Sequence, residues 1–184
     1  MTRKAIGLML VAVLLSPLHT LASQRDHRLE ALFGRLKTAH SNAEAAELTA
    51  TIWSIWQQSE NDQVNALMSE GVQELSQGNY TKALAAFSEV VKTDPEFAEG
   101  WNKRATVYYL MREFSASIHD IERTLALEPH HFGALSGLGL IYLALGNDLA
   151  ALRAFEGALK VNPHLPAARY HAEELRRRLH DRAI

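Results

Sequence analysis

The chain has 184 residues, of which 47% are hydrophobic and 22% charged, a composition typical of a soluble globular domain rather than a disordered or fibrous protein. The 21 acidic residues slightly outnumber the 19 basic ones, so no general attraction to nucleic acid or to an anionic membrane is expected. The absence of cysteine excludes a disulfide framework, a cysteine nucleophile and a lipid anchor on cysteine.

Residues 1–22 have the anatomy of a secretory signal peptide. Arg3 and Lys4 precede the apolar run 5–15, and small residues precede a cleavage point after Ala22, with cleavage after Ser23 as the alternative. The run is shorter than the about 20 residues that a membrane-spanning helix needs. We therefore expect export and cleavage, with retention as an uncleaved anchor as the alternative. Cleavage leaves 17 basic and 21 acidic residues, a net charge of −4.

Residues 23–62 are predicted to form a helical hairpin. Apolar residues recur at the i, i+3, i+4, i+7 spacing between Leu29 and Leu36, which indicates one face of a first helix. Ser41 and Glu44 fit a capping box at the start of a second helix, because their side chains can accept hydrogen bonds from free N–H groups there.

The second helix carries a pair of tryptophans. Trp53 and Trp56 stand three residues apart on one apolar stripe, a spacing typical of core positions. We expect them to pack against the segment that begins near Val64. The alternative is a binding hot spot, since tryptophan is enriched at such sites.

A period of 34 residues organises the chain after the hairpin. Pro95, Pro129 and Pro163 are separated by this spacing, and each follows two helical patterns joined by a turn. Small residues recur with the same period at Gly71 and Ala105, and again at 139, where they let the paired helix approach closely. The predicted units are 64–97, 98–131 and 132–165, followed by a final helix at 166–184.

Residues 64–163 resemble the tetratricopeptide repeat family. The third unit carries the resemblance best, and its matching residues are Leu135, Leu138, Gly139, Tyr142, Ala151, Phe155, Ala158 and Pro163. The resemblance implies an all-α fold, a right-handed superhelical solenoid of three repeats with the N-terminal hairpin and a C-terminal capping helix. Together with the signal peptide, it is also similar to the small exported tetratricopeptide proteins of Gram-negative bacteria.

The same resemblance implies a concave groove, lined by the first helix of each unit, that binds peptides or helices. Met68 and Val72 stand where a lysine and an asparagine would hold a terminal carboxylate, so a role as a chaperone-tail cochaperone is not expected. The alternative is that several of the lining residues pack between units. The implied lining residues are Met68, Val72, Leu75, Asn102, Thr106, Tyr109, Ser136, Leu140, Leu143 and Tyr170.

No pattern of catalytic or metal-binding residues stands out. The nine histidines form no zinc-protease motif, and the His130-His131 pair is expected to be a solvated turn rather than a metal site. Gly137 and Gly139 lie in a helical pattern and form no dinucleotide fingerprint. The basic run 176–178 is expected to be a solvated helix end, with contact to an anionic polymer as the alternative. We therefore expect no enzyme activity, no cofactor and no metal.

The predicted function is that of a periplasmic protein–protein interaction scaffold or adaptor, which binds a peptide or helix of an envelope protein in the groove. Nucleic acid and small-molecule substrates are not expected as partners. The alternative is a self-associating structural envelope protein whose groove is filled by its own hairpin or by a second subunit.

Overall fold

The computed structural model describes residues 26–182, and these residues form nine helices joined by short loops. The predicted signal peptide lies outside the described residues. Consecutive helices pack pairwise, which confirms the predicted all-helical architecture with an N-terminal hairpin and a final helix. The helices are α1 (Arg28–Thr38), α2 (Asn42–Trp56), α3 (Asp62–Ser76), α4 (Tyr80–Thr93), α5 (Ala98–Leu110), α6 (Phe114–Leu127), α7 (Phe132–Ala144), α8 (Asp148–Val161) and α9 (Pro166–Asp181).

Helices α3 to α8 form three helix pairs, called the array below, and the small residues set their spacing. A Cβ atom placed on Gly71 would lie 2.5 Å from the ring of Phe87, and one on Gly139 would lie 2.7 Å from the ring of Phe155. Real Cβ atoms do not approach so closely, so glycine is required for these two pairs to meet. The predicted close approach is thus confirmed in α3–α4 and α7–α8.

The turn inside each pair has a left-handed residue at the same place. Gly78, Arg112 and Gly146 have φ values of 76°, 64° and 72° and stand 34 residues apart. In each turn the next residue donates its N–H to a carbonyl five residues back, as from Asn79 to Glu74. Arg112 therefore adopts a conformation that glycine takes in the other two turns.

The hairpin of α1 and α2 is capped largely as predicted. The Oγ atom of Ser41 accepts from the backbone N–H of Glu44 at 3.1 Å. The Glu44 carboxylate accepts from the N–H of His40 at 3.2 Å, one residue before the partner that a capping box would use. The start of α2 is therefore fixed from both sides.

The hairpin packs against the junction of the second and third pairs, and the expectation that its tryptophans contact the first repeat was wrong. Trp56 is fully buried, with its ring centroid 4.2 Å from that of His131 and 5.0 Å from that of Phe132. Leu29, Phe33, Leu36 and other hairpin residues join the same apolar cluster, which includes Ala158 and Val161 of α8. The aromatic contacts of Trp56 therefore join residues more than 70 positions apart in the chain.

Candidate functional site

Five of the predicted groove residues line one pocket between α5 and α7, called the α5–α7 pocket below. Its volume is about 320 Å³, and its apolar wall includes Ala105, Leu110, Ile121 and Ile141. Among residues 26–182, the side chains around it include no charged group. The predicted residues that line it are Asn102, Thr106, Tyr109, Ser136 and Leu140.

The serine and threonine hydroxyl groups around this pocket are satisfied within the chain, and Tyr109 adds a phenolic side chain to its lining. Thr106 donates to the carbonyl of Asn102 at 2.9 Å, and Ser136 donates to the carbonyl of Phe132 at 2.8 Å. Ser117 donates to the carbonyl of Ala105 at 2.7 Å. Because these donors are occupied, the pocket presents mainly apolar surface to anything that enters it.

Two other predicted groove residues lie beside α2 instead. Met68 and Val72 of α3 line a trough of about 800 Å³ opposite Trp53 of α2, with Lys103 at its side. Val72 is 46% exposed, whereas Met68 is buried. The hairpin therefore packs on the concave face, which was predicted to be open. Beside the first helix pair, α2 narrows this face.

The last helix contributes a third depression. Tyr170 of α9 is 62% exposed and lines a trough of about 790 Å³, whose opposite wall includes Thr49 and Trp53 of α2. The other two predicted groove residues, Leu75 and Leu143, pack beside the apolar clusters of the array and line none of these three depressions. Eight of the ten predicted residues thus line three separate depressions, and α2 forms a wall of two of these.

A buried carboxylate at the start of α5 connects the array to the hairpin. The Oε2 atom of Glu99 accepts from the Asn102 amide at 2.8 Å and lies 3.0 Å from Nε2 of His131. Its Oε1 atom lies 3.1 Å from Nζ of Lys103. Burial disfavours the charged form, but the bond from His131 and the charge of Lys103 outweigh it and hold the pKa of Glu99 below its ordinary value.

His131 occupies the centre of this cluster, and the expectation of a solvated turn was wrong for it. The ring is fully buried, and Nδ1 accepts from the backbone N–H of Ala134 at 3.0 Å. Nε2 therefore carries the proton that is donated to Glu99. His130, its neighbour, is exposed as expected. Sequence reasoning missed this site because Glu99 and His131 are 32 residues apart and do not follow the repeat period.

Gly133 makes room for the hairpin at the same place. A Cβ atom on Gly133 would lie 2.6 Å from the ring of Trp53, so only glycine lets this ring lie against α7. The Nζ atom of Lys103 lies 5.8 Å from the centroid of the Trp53 ring. Residues near the N-terminal ends of α5 and α7 therefore contact α2.

The loops between helix pairs hold the hairpin as well. Asn162 donates to the Thr49 hydroxyl at 3.2 Å, and Glu128 accepts from the Trp56 indole at 3.4 Å. Ser59, just after α2, donates to Asp94 at 3.3 Å. These three loop residues, at 94, 128 and 162, stand 34 residues apart, so successive repeats offer one polar contact each. The contacts run in reverse order along α2 and the loop that follows it, so this segment reaches all three junctions.

The basic run on α9 is paired with carboxylates rather than only solvated. Arg176 lies 2.7 Å from Glu156, and Arg178 lies 3.1 Å from the buried carboxylate of Asp148. Arg182 reaches the other oxygen of Asp148 at 2.8 Å. The three arginine side chains keep about half of their surface exposed, so each ion pair contributes little to stability alone. Together, the ion pairs orient α9 on α8.

Between residues 26 and 182, no helix is long and apolar enough to span a bilayer. Within the same range, no three histidine or acidic side chains converge in a way that could hold a metal ion.

Comparison with known families gives a consistent match across the array. Residues 71–111 match the family described as TPR repeat, and residues 103–166 match the family described as tetratricopeptide repeat. A TPR repeat-containing protein of Rhizobium etli is 34% identical over 142 residues, which cover 77% of this chain and 70% of that protein. The chain spans only 38% of another relative, tetratricopeptide repeat protein 33 of Mus musculus.

Solved structures share the fold at low identity. The first TPR domain of Spaghetti (RPAP3), bound to the HSP90 peptide SRMEEVD, has a TM-score of 0.62 and 22% identity, and covers 65% of this chain and 95% of that one. The crystal structure of MamA has a TM-score of 0.59 and 20% identity, and covers 78% of this chain and 81% of that one. At these identities the likeness shows the fold alone.

Proposed function

Since the chain belongs to the tetratricopeptide repeat family, whose members are generally non-catalytic scaffolds, we propose that it is an interaction scaffold or adaptor of the periplasm. In this proposal the open part of its concave face binds a peptide or a helix of an envelope protein. The observation that carries it is the α5–α7 pocket, an uncharged cavity lined by five residues that the repeat register assigns to the groove.

The site favours a different partner from the peptide that the RPAP3 domain holds. The HSP90 peptide bound there ends in two glutamates, a valine and an aspartate. Here the charge of Lys103, beside Glu99, is already balanced, and the described residues that line the α5–α7 pocket are uncharged. An acidic tail would lose its hydration without gaining a cation, which disfavours it.

The periplasmic location is proposed from the first 22 residues. Their basic start, apolar run and small residues before position 23 are the features of an export signal. An envelope protein is then the partner class that the scaffold would meet.

Site-specific photo-crosslinking in cells tests this function. A photoreactive residue would replace Thr106, which is exposed and lines the α5–α7 pocket. The matched control would replace Glu122, which is exposed on α6 and lines none of the three depressions. We expect a defined adduct with an envelope protein from position 106 and none from position 122.

The pattern of adducts separates the scaffold from its alternative. Adducts from position 106 only between copies of this chain would favour the self-associating structural protein instead. Equal adducts from both positions, or none from position 106, would show that this face is not the working surface.

A further inference from the structure

Gly137 lies in the middle of α7, although packing within the chain does not require a glycine there. Glycine is the least favourable residue inside a helix after proline. A Cβ atom on Gly137 would meet only the side chain of Ile121, at an ordinary contact distance of 3.7 Å. By contrast, Gly133 and Gly139 in the same helix would bring a Cβ within 2.7 Å of a ring.

The position of Gly137 gives it a different role from these neighbours. It lines the α5–α7 pocket, so any side chain at this residue would reduce the open volume. Gly34 and Gly157 also have room for a Cβ atom, but neither lines one of the three depressions. Gly137 is therefore a helix-interior glycine, and any side chain introduced in its place would enter the α5–α7 pocket.

The pocket suits one side chain rather than a large ligand. Its volume of about 320 Å³ is at the lower end of the range of about 300–1,000 Å³ that ligand pockets occupy. Its serine and threonine hydroxyls already donate to backbone carbonyls, and no charged residue from the described part of the chain lines it. An apolar group gains contacts there, whereas a charged group loses water without finding an opposite charge.

We propose that the α5–α7 pocket is an anchor site for one large apolar side chain of the partner, and that Gly137 keeps it open. The partner segment is a peptide or helix that inserts a leucine, isoleucine or aromatic residue between α5 and α7, and a free terminal carboxylate plays no part. This inference rests on the proposed scaffold function and names the chemistry that it recognises.

A random peptide library, displayed so that no peptide has a free carboxyl end, provides the probe. It would be selected on residues 23–184, and the enriched peptide would be synthesised with a fluorescent label for anisotropy titrations. We expect the selected peptides to share a large apolar residue. Gly137→Leu places a side chain inside the pocket and should weaken binding roughly 10- to 100-fold, the contribution of one buried apolar side chain.

The matched control is Gly157→Ala, at the other helix-interior glycine of the array with room for a Cβ atom. It should bind the peptide like the unchanged protein. Both variants should unfold at or above the melting temperature of the unchanged protein, because leucine and alanine are better helix formers than glycine. If Gly137→Leu folds poorly, Gly137→Ala adds a single methyl group and should weaken binding less, in the same direction.

The possible results distinguish this inference from the function on which it rests. Peptides that bind Gly137→Leu as tightly as the unchanged protein would overturn the anchor site and leave the scaffold function standing. Enrichment of acidic peptides without a shared apolar residue would overturn it too. If the library yields no peptide but position 106 still captures an envelope protein, the anchor site is overturned and the scaffold function stands. If position 106 captures no envelope protein either, the scaffold function is overturned as well.

Discussion

A buried carboxylate at Glu99 is stable in this fold because each of its oxygens has a positive or donating neighbour. His131 and Asn102 serve one oxygen, and Lys103 lies beside the other. Isolated burial would favour the protonated form, so the lowered pKa reports that these partners outweigh desolvation. The cluster fixes three elements at once, since His131 also stacks on Trp56 of the hairpin.

Glu99→Gln should change how stability depends on pH. The folded-state pKa of Glu99 lies below its unfolded value of about 4.5, so its contribution is fully present above that pH and is lost as the pH falls through the folded pKa. The variant should lose about 1–3 kcal/mol at pH 7, because Lys103 is left without its counter-charge. Below pH 4.5, its stability should fall less steeply than that of the unchanged protein.

Urea unfolding between pH 3 and pH 7 measures both effects. Glu122→Gln removes an exposed carboxylate on α6 and is the matched control. An unchanged pH dependence in Glu99→Gln would show that the ion pair and the histidine bond do not stabilise the charged form.

Single residues also show where the sequence was sufficient and where it was not. The need for a small residue at 71, 105 and 139 follows from the period, and at 71 and 139 the facing phenylalanine ring leaves room only for glycine. The pairing of Glu99 with His131 breaks the period, and so does the fit of Trp53 over Gly133. Those contacts depend on where the hairpin docks, which no repeated pattern records.

At the scale of elements, the hairpin is the part that the repeat pattern does not determine. Its amphipathic helices were predictable from spacing and from the Ser41 cap, but an apolar face alone does not specify its partner. The partner was set instead by Trp56, which fits between His131 and Phe132, and by the three loop contacts. Five of the ten predicted groove residues share one pocket between α5 and α7, whereas α2 lines the two neighbouring depressions.

Trp56→Ala should release the hairpin. The ring is fully buried, so its removal should lower the free energy of unfolding by about 3–5 kcal/mol and expose α1 and α2 to protease. Trp56→Phe keeps an apolar ring and loses the indole bond to Glu128 and part of the buried ring volume, so it should cost less than Trp56→Ala. Denaturant unfolding and limited proteolysis measure these effects. A loss below about 1 kcal/mol in Trp56→Ala would mean that the hairpin is not held by this ring.

At the scale of the whole molecule, α9 packs on the C-terminal end of the array, and the hairpin packs against the junction of the second and third pairs. Ala168, Ala172 and Leu175 of α9 cover Ala151 and Phe155 of α8, an apolar face that would otherwise meet water. A repeat array needs such a cover because each unit packs only on its neighbours. The 34-residue period predicted both the array and this need.

Truncation after residue 165 should therefore destabilise the third pair. Exposing Phe155 and losing Leu175 should together cost about 3–6 kcal/mol, because each buries a large apolar side chain. Thermal unfolding followed by circular dichroism measures the loss. Truncation after residue 182 keeps α9 and is the control. Equal stability of the two truncated chains would show that α9 is dispensable.

The reversed path of α2 and the loop after it across the three junctions also has a kinetic consequence. The polar contacts of this segment join residues separated by 35, 72 and 113 positions, whereas the helix pairs of the array form from neighbouring segments. Closing such long loops is slow compared with pairing adjacent helices. The segment synthesised first is therefore expected to dock last, after the third pair has formed. Contacts that form late are broken early, so weakening the hairpin should accelerate unfolding far more than it slows folding.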